Sequence, residues 1–309
     1  MLKRCLSLFL ALLLICITFS ACGNGQANTA KLPENIMQKS DPAKDNELNI
    51  LMIGNSHCYY YTEELYGMLT AAGYQNVNVC NVYYSGCTLQ QHYSWQKSGT
   101  ANYEYFTTNG TGQISVKSVN LEYCLKQRNW DVISLQESNV PIREFGVQKQ
   151  LKLSKNFLMD LWGYIKEQYP LSRYLWQQTL SLQIGYSAGG YKVETPEQQK
   201  AEAQLIKEYS LAVCEDYNLE RVPTGDAWQI VREGGYDNLC ARLGINNGEG
   251  DYIHEGDIGG GQYLSACVWF EVITGKSCVG NTYIPNYAMF PEQATLQAAA
   301  HKAVSLMIN

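Results

Sequence analysis

Three residues of this chain have the side chains of a catalytic triad. Asp251 and His254 lie three positions apart near the C-terminus, and Ser56 lies about two hundred residues upstream. A histidine can accept the proton of a serine hydroxyl, while a carboxylate fixes the imidazole tautomer and stabilises the imidazolium. Because the same geometry occurs with several orders along the chain, the order seen here is acceptable. We therefore predict nucleophilic catalysis by Ser56, with His254 as base and Asp251 as its orienting partner.

The residues before Ser56 indicate how it is positioned. Residues 50–53 form an apolar run typical of a short buried strand, and Gly54-Asn55 favours a turn. Ser56 is therefore expected where a strand gives way to a helix. That end of a strand is where α/β proteins bind their ligands.

Strand-like and helical patterns alternate along the rest of the chain. The predicted strands are 48–53, 77–82, 132–135, 174–178 and 220–222, and the predicted helices are 62–72, 116–127, 148–168, 196–217, 261–274 and 291–307. This alternation predicts an α/β fold, a three-layer α/β/α sandwich whose central parallel sheet is covered by helices on both faces. The Gly- and Tyr-rich stretches 93–112 and 185–193 are expected to be surface excursions near the site.

The composition is that of a folded enzyme. Of 309 residues, 46% are hydrophobic and 17% charged, which is enough apolar material for one core and gives little sign of disorder. The net charge is −6 and no basic block is present, so nucleic acid is not expected as a partner. The 23 Tyr and 6 Trp suit stacking on sugar rings, but they suit core packing equally well.

The N-terminus has the pattern of an export signal. Lys3 and Arg4 precede an apolar run over 6–19, and Phe19-Ser20-Ala21 leads into Cys22. The end of this signal resembles a bacterial lipobox, in which Cys22 would become the lipidated N-terminus. We thus expect a signal peptide over 1–22, a polar tether over 23–46 and one domain over 47–309, lipid-anchored at the bacterial cell surface or the periplasmic face of a membrane. Plain secretion is the alternative.

The cysteines do not define a disulfide framework. Eight would remain after export and lipidation, at spacings without a C-x-x-C zinc signature. Several lie in apolar runs. We interpret Cys80, Cys124 and Cys267 as buried free thiols, although an exported chain permits disulfides.

Three motifs, taken in order, resemble the SGNH hydrolases, a superfamily of GDSL-like lipases and esterases. Gly54-Asn55-Ser56 resembles its first block, Ser85-Gly86-Cys87-Thr88 its glycine block, and Asp251-x-x-His254 its last block. The segments 130–138 and 261–264 resemble, more narrowly, a subgroup of bacterial lipoproteins in that superfamily. The resemblance extends over almost all of the predicted domain, and it implies a flavodoxin-like fold.

The resemblance also implies an activity. The chain would be an exported serine ester hydrolase, such as a carbohydrate O-acetylesterase or another short-acyl esterase, acting without cofactor or metal. Its partners would be an acylated carbohydrate or other small ester and, through the N-terminal lipid, a membrane. An O-acyltransferase on the same fold and an inert carbohydrate-binding lipoprotein remain alternatives, because fold and site do not fix the acyl acceptor.

The oxyanion hole is where the sequence departs from the superfamily. The backbone N–H groups of Ser56 and Gly86 would supply two donors, and a side-chain amide would supply the third. The usual third block, Gly-x-Asn-Asp, is replaced by Gln136-Glu137-Ser138-Asn139. Either Gln136 or Asn139 could provide the amide; we favour Gln136 because it immediately follows the predicted strand.

The remaining histidines and acids suggest weaker alternatives. His57 could join His254, Asp251 and Asp257 in a zinc or manganese site, but no metal-ligand spacing supports one. His92 and His301 are expected at the surface. Glu137 could suggest glycoside hydrolysis, but no second carboxylate can be placed at the required separation.

Overall fold

The polypeptide forms a seven-stranded sheet with helices on both faces. A computed structural model describes residues 47–236, 260–285 and 293–308. The strands are β1 Leu48–Gly54, β2 Val77–Tyr83, β3 Tyr103–Asn109, β4 Gly112–Val119, β5 Val132–Leu135, β6 Arg173–Gln177, the short pair β7 Ser187–Ala188 and β8 Tyr191–Lys192, and β9 Glu220–Val222. The helices are α1 Thr62–Ala71, α2 Leu89–Ser98, α3 Leu121–Leu125, α4 Asn139–Gln168, α5 Pro196–Tyr217, α6 Thr224–Val231, α7 Gly260–Thr274 and α8 Gln293–Ile308.

The central strands are buried on both faces, which explains their continuous apolar runs. In β1, Ile50 and Met52 pack into the core on one side of the sheet, and Leu51 and Ile53 pack into the core on the other. Successive side chains of a strand point to opposite faces, so a strand between two helical layers buries side chains on both of its faces and is mostly apolar.

Two helical layers complete the sandwich and confirm the predicted α/β class. Helices α1, α6, α7 and α8 supply buried residues to the core that contains Ile50, and α2, α3, α4 and α5 supply the other. Local capping sets the helix ends. Helix α5, for example, begins with a reciprocal cap between Thr195 and Gln198 and with Pro196 in its first turn.

The sheet has the predicted parallel centre and, at one edge, two antiparallel strands that were not predicted. The strand order is β4-β3-β2-β1-β5-β6-β9, and β3 and β4 are antiparallel additions beyond β2. The predicted helix over 116–127 is instead the end of β4 followed by the short helix α3. The hairpin turns at Gly110-Thr111, where the Asn109 side chain accepts a hydrogen bond from the Thr111 N–H at 2.9 Å.

The expectations for the stretch 93–112, for two histidines and for the cysteines were confirmed in part. The stretch 93–112, expected as a surface excursion, contains most of α2 and all of β3. His92 was expected at the surface but is fully buried against Tyr103, whereas His301 is exposed as expected. The seven described cysteines are free, and Cys80, Cys124 and Cys267 among them are buried, as predicted. Within the described residues, no helix is both long and apolar enough to span a membrane.

Candidate active site

Ser56 lies at the carboxyl end of β1, as predicted. It is the first residue of a 3₁₀ turn, Ser56–Cys58, which we call the serine turn and which only Asn55 separates from the strand. Ser56 is 9% exposed. The carboxyl ends of β2, β5, β6 and β9 lie at the same edge of the sheet, because each of the pairs from β2 through β1, β5 and β6 to β9 is parallel. The serine is therefore placed where the loops of several strands converge.

Asn55 connects the serine turn to two other motifs. Its Oδ1 accepts hydrogen bonds from the His57 N–H at 3.0 Å and from Gln136 Nε2 at 2.8 Å, and its Nδ2 donates to the Cys87 carbonyl at 3.1 Å. Asn55 is 3% exposed, so these bonds replace the water that its amide would otherwise bind. The first, glycine and third blocks are thereby joined through one side chain.

The orientation of the Gln136 amide follows from this arrangement. Asn55 Oδ1 already faces a backbone N–H, so only the Nε2 group of Gln136 can approach it favourably. Gln136 is fully buried, and its Oε1 has no hydrogen-bond partner among the described residues. The amide thus turns a nitrogen toward the serine turn.

Asn139 is directed elsewhere. It is the first residue of α4, its Nδ2 donates to the Leu180 carbonyl at 2.6 Å, and its Oδ1 accepts from the Thr179 hydroxyl. Asn139 therefore fastens α4 to the loop after β6. Of the two amides expected to complete an oxyanion hole, Gln136 is the one hydrogen-bonded to the serine turn; its role in catalysis stays a prediction.

Gly54 is a glycine because Gln136 packs against it. A Cβ at this position would lie 2.4 Å from Gln136 Cγ and 2.9 Å from Cys58 Sγ. No side chain fits there without a shift. The glycine of the first block therefore permits the close contact between β1 and the third block.

The glycine block forms the loop between β2 and α2. The Tyr84 N–H donates to the Gly54 carbonyl at 3.4 Å, which places the loop beside the serine turn. Gly86 has a φ of +65°, a left-handed conformation that favours glycine. A Cβ at Gly86 would meet nothing within 4 Å, so backbone conformation rather than crowding requires glycine there.

Two further side chains brace the serine turn. Gln177, the last residue of β6, donates through Nε2 to the His57 carbonyl at 2.6 Å. Asn81 of β2 donates to the carbonyls of Met52 at 2.9 Å and Cys58 at 3.3 Å. Sequence reasoning missed both residues and the role of Asn55. Their signal was a buried amide within or directly after an apolar strand.

Cys58 is a second nucleophilic side chain close to Ser56. Burial raises the pKa of its thiol to about 12, although hydrogen bonds from Asn81 and the backbone oppose the shift. The thiolate is the reactive form of cysteine. Cys58 is therefore neutral near pH 7 and does not compete with Ser56 as a nucleophile.

An aromatic cluster lies on the β2 side of the serine turn. The ring of Tyr59, which directly follows the turn, is 5.0 Å from that of Tyr60, 5.1 Å from that of Tyr83 and 4.2 Å from that of Phe106, between centroids. Tyr59, Tyr60 and Tyr83 are half-buried. Tyr59 also donates its hydroxyl to Gln113 Oε1 at 3.1 Å. These rings offer apolar faces with polar edges beside the candidate nucleophile.

Several predicted site residues lie outside the described residues. They are Asp251, His254, Cys22 and the alternative metal ligand Asp257. Of the alternative metal site only His57 is described. Within the described part of the chain, no group of three or more His, Cys, Asp or Glu side chains could hold a metal ion.

A separate cleft is lined by residues other than those of the serine turn. It has a volume of about 580 Å³ and is lined by residues of α5, β9, α7 and α8, among them Glu271 and His301. His301 Nδ1 lies 3.1 Å from both carboxylate oxygens of Glu271. Of the predicted catalytic residues that the structure describes, none lines this cleft, so we place the candidate active site at Ser56 on chemical grounds.

Comparisons with known proteins agree with the fold. The model of a family described as "Domain of unknown function (DUF4886)" matches residues 49–303. A DUF4886 family protein from Bacteroides uniformis has 23% sequence identity and a TM-score of 0.72, over 85% of this chain and 96% of that one. A candidate GDSL-like lipase from Parabacteroides merdae has 14% identity and a TM-score of 0.47, over 74% and 96%. No curated protein sequence matches the chain.

Proposed function

Because the chain belongs to the DUF4886 family, whose description assigns no activity, we propose from the site itself that it is a serine ester hydrolase. The observation that carries the proposal is the position of Ser56, in a turn at the carboxyl end of β1 that Asn55 joins to the glycine and third blocks. Serine hydrolases need a nucleophile held rigidly beside preorganised donors.

The proposed reaction proceeds in two steps. Ser56 Oγ attacks the acyl carbonyl while His254 accepts the hydroxyl proton, and that proton passes to the departing alcohol. Water then attacks the acyl-serine with His254 again as base, which releases the acid and restores Ser56. Asp251 orients the imidazole. The N–H groups of Ser56 and Gly86, with an amide of Gln136, would stabilise the oxyanion in both steps.

An acylated carbohydrate is the proposed substrate. The half-buried rings of Tyr59, Tyr60 and Tyr83 form one cluster that begins at the residue after the serine turn. Sugar rings present C–H faces that pack on aromatic faces and hydroxyls that suit nearby polar groups. The net charge of −6 favours neutral sugars over polyanions.

Export and lipidation complete the proposal. The charged start, the apolar run 6–19 and Cys22 support an enzyme anchored by lipid at the bacterial cell surface or the periplasmic face of a membrane. An enzyme there would meet extracellular or cell-wall glycans. Labelling with a fatty-acid probe, with Cys22→Ser as the control variant, tests this part by itself.

The activity is tested by comparing wild type with Ser56→Ala on p-nitrophenyl acetate and on acetylated xylan. We expect Ser56→Ala, and also His254→Ala, to lower kcat by about 10⁴-fold or more, the loss typical of a removed triad member. Ser98→Ala, a serine at the exposed end of α2, is the matched control and should retain full activity.

The outcomes separate the alternatives. Equal turnover by wild type and Ser56→Ala would remove Ser56 as the nucleophile. Saturable glycan binding in calorimetry, without hydrolysis of any ester, would favour a binding lipoprotein. Transfer of the acyl group to an added sugar, seen by product analysis, would make the protein an acyltransferase that uses the same residues.

A further inference from the structure

Glu137 is a buried acid of the third block, and its carboxyl group is hydrogen-bonded to other parts of the protein. It directly follows Gln136, it is 2% exposed, and its functional role is not accounted for by the triad or the oxyanion donors. A buried acid is costly unless hydrogen bonds satisfy it. Its contacts therefore indicate what the fold gains from keeping it.

The two carboxylate oxygens of Glu137 have different partners. Oε1 accepts hydrogen bonds from the backbone N–H of Leu89 at 3.0 Å and of Ser138 at 2.9 Å. Oε2 accepts from Gln150 Nε2 in α4 at 2.9 Å. Oε1 therefore connects the third block to the start of α2, whereas Oε2 faces α4.

Leu89 is the first residue of α2, and only Cys87 and Thr88 separate it from Gly86. The loop between β2 and α2, which contains Gly86 and which we call the glycine loop, is thus held at two points. Asn55 donates to the Cys87 carbonyl at 3.1 Å, and Glu137 accepts from the Leu89 N–H. A negative or acceptor group at this end also suits the unpaired N–H groups of a helix N-terminus. Gly86 lies within the segment that these contacts define.

We infer that Glu137 is a positioning residue, which holds the glycine loop through the Leu89 N–H so that the Gly86 N–H stays directed at the oxyanion. The inference rests on the proposed ester hydrolysis. It predicts that loss of the Oε1 contacts weakens transition-state stabilisation more than substrate binding, since a displaced donor acts on the developing charge.

The test compares three variants. Glu137→Ala removes both acceptors, and we expect kcat to fall about 10- to 100-fold with KM within about twofold, as for a misplaced donor. Glu137→Gln keeps an Oε1 acceptor and should restore most of kcat. Gln150→Ala leaves Oε1 and both backbone bonds in place, and it should remain within about twofold of wild type. Activities are normalised to the folded fraction.

Two readouts exclude a merely structural role. The affinity for a boronic acid, a tetrahedral oxyanion mimic, should fall with kcat in Glu137→Ala while KM does not change. Amide hydrogen exchange should show lost protection at Leu89 in Glu137→Ala and normal protection in Glu137→Gln. Equal kcat in Glu137→Ala and wild type, or a parallel rise in KM, would overturn the inference.

The exchange measurement also separates this inference from the proposed function. If wild type shows no Ser56-dependent activity, ester hydrolysis fails, and loss of Leu89 protection in Glu137→Ala would still support the hold on the glycine loop. Unchanged protection at Leu89 in Glu137→Ala would refute the hold whether or not the protein is an esterase.

Discussion

The buried carboxyl group of Glu137 should make the stability of the protein depend on pH near neutrality. Burial raises the pKa of Glu137 from 4.5 to about 7, and the hydrogen bonds from Leu89, Ser138 and Gln150 oppose that rise only in part. Between those two pKa values the folded chain retains a proton that the unfolded chain releases. The contribution of Glu137 to the free energy of unfolding therefore decreases as pH rises from 4.5 to 7 and is constant above that range.

The size of the effect follows from the two pKa values. At about 1.36 kcal/mol for each pH unit between them, the loss is about 3 kcal/mol, a large part of a typical net stability. Cys87 and Tyr209, which face Glu137 from the glycine loop and from α5, do not contribute, because burial raises the pKa of each far above this range.

The assay is urea unfolding of wild type and Glu137→Gln from pH 4.5 to 8.5. The amide of Glu137→Gln keeps an acceptor for the two backbone N–H groups but binds no proton, so we expect it to lack the decrease and to be the more stable form above pH 7. Glu144→Gln, a change at an exposed acid of α4, is the control and should follow wild type. If the free energy of unfolding changed with pH in the same way in wild type and in Glu137→Gln, the reasoning would be refuted.

Three further predictions concern single residues. Gln136→Ala should lower kcat about 10²–10³-fold with little change in KM, while Asn139→Ala should be mild; the reverse ranking in steady-state kinetics would move the oxyanion amide to Asn139. Burial lowers the pKa of His92 from 6.5 to about 3, so stability should be lost as pH falls between those values, and His92→Phe should lack this loss in acid titrations followed by circular dichroism; identical acid unfolding would contradict it. Gly54→Ala should destabilise by about 1–3 kcal/mol in thermal unfolding because its Cβ would meet Gln136, whereas Gly163→Ala in α4 meets nothing within 4 Å and should gain about 0.5–1 kcal/mol; similar melting temperatures would argue against the close contact.

The sequence predicted the elements whose own residues specify them. Helix α5 was predicted over 196–217 and is found there, because Thr195 and Pro196 define its start and Asn218, in a left-handed conformation, its end. Strands β1, β2 and β5 were predicted nearly to the residue. Each of these strands is buried on both faces, and such strands are mostly apolar, which is the pattern from which they were predicted.

The β3–β4 hairpin at the sheet edge was not predicted, because backbone pairing with neighbouring strands, more than its own side chains, makes its residues extended. Six of the eight residues of β4 are exposed and the strand has no strong apolar pattern, so its polar and apolar residues also fitted a helix. Its backbone is fixed by the ladder with β3, which is in turn fixed by β2. Asn109-Gly110 was the local signal for the turn, since this dipeptide between strand-forming residues favours a hairpin.

In the candidate site, too, some residues could be placed from the local sequence, whereas the role of others depends on contacts between distant segments. Three residues of the site lie at or just beyond the carboxyl ends of β1 and β2: Gly54, Ser56 and Gly86. Because these two strands were predicted to be parallel, the sequence already placed the three residues at the same edge of the sheet. The choice between Gln136 and Asn139 did not follow from the order of the strands, because both lie within four residues of the end of β5 and both are amides. It depends on where the chain turns into α4: Gln136 still extends toward the serine turn, whereas Asn139 already begins the helix and faces the loop after β6. The position of a helix start relative to a neighbouring loop is set by tertiary packing, which the residues of the third block do not reveal by themselves. Glu137, which lies between the two amides, is the residue that binds the start of α2 and so links this block to the glycine loop.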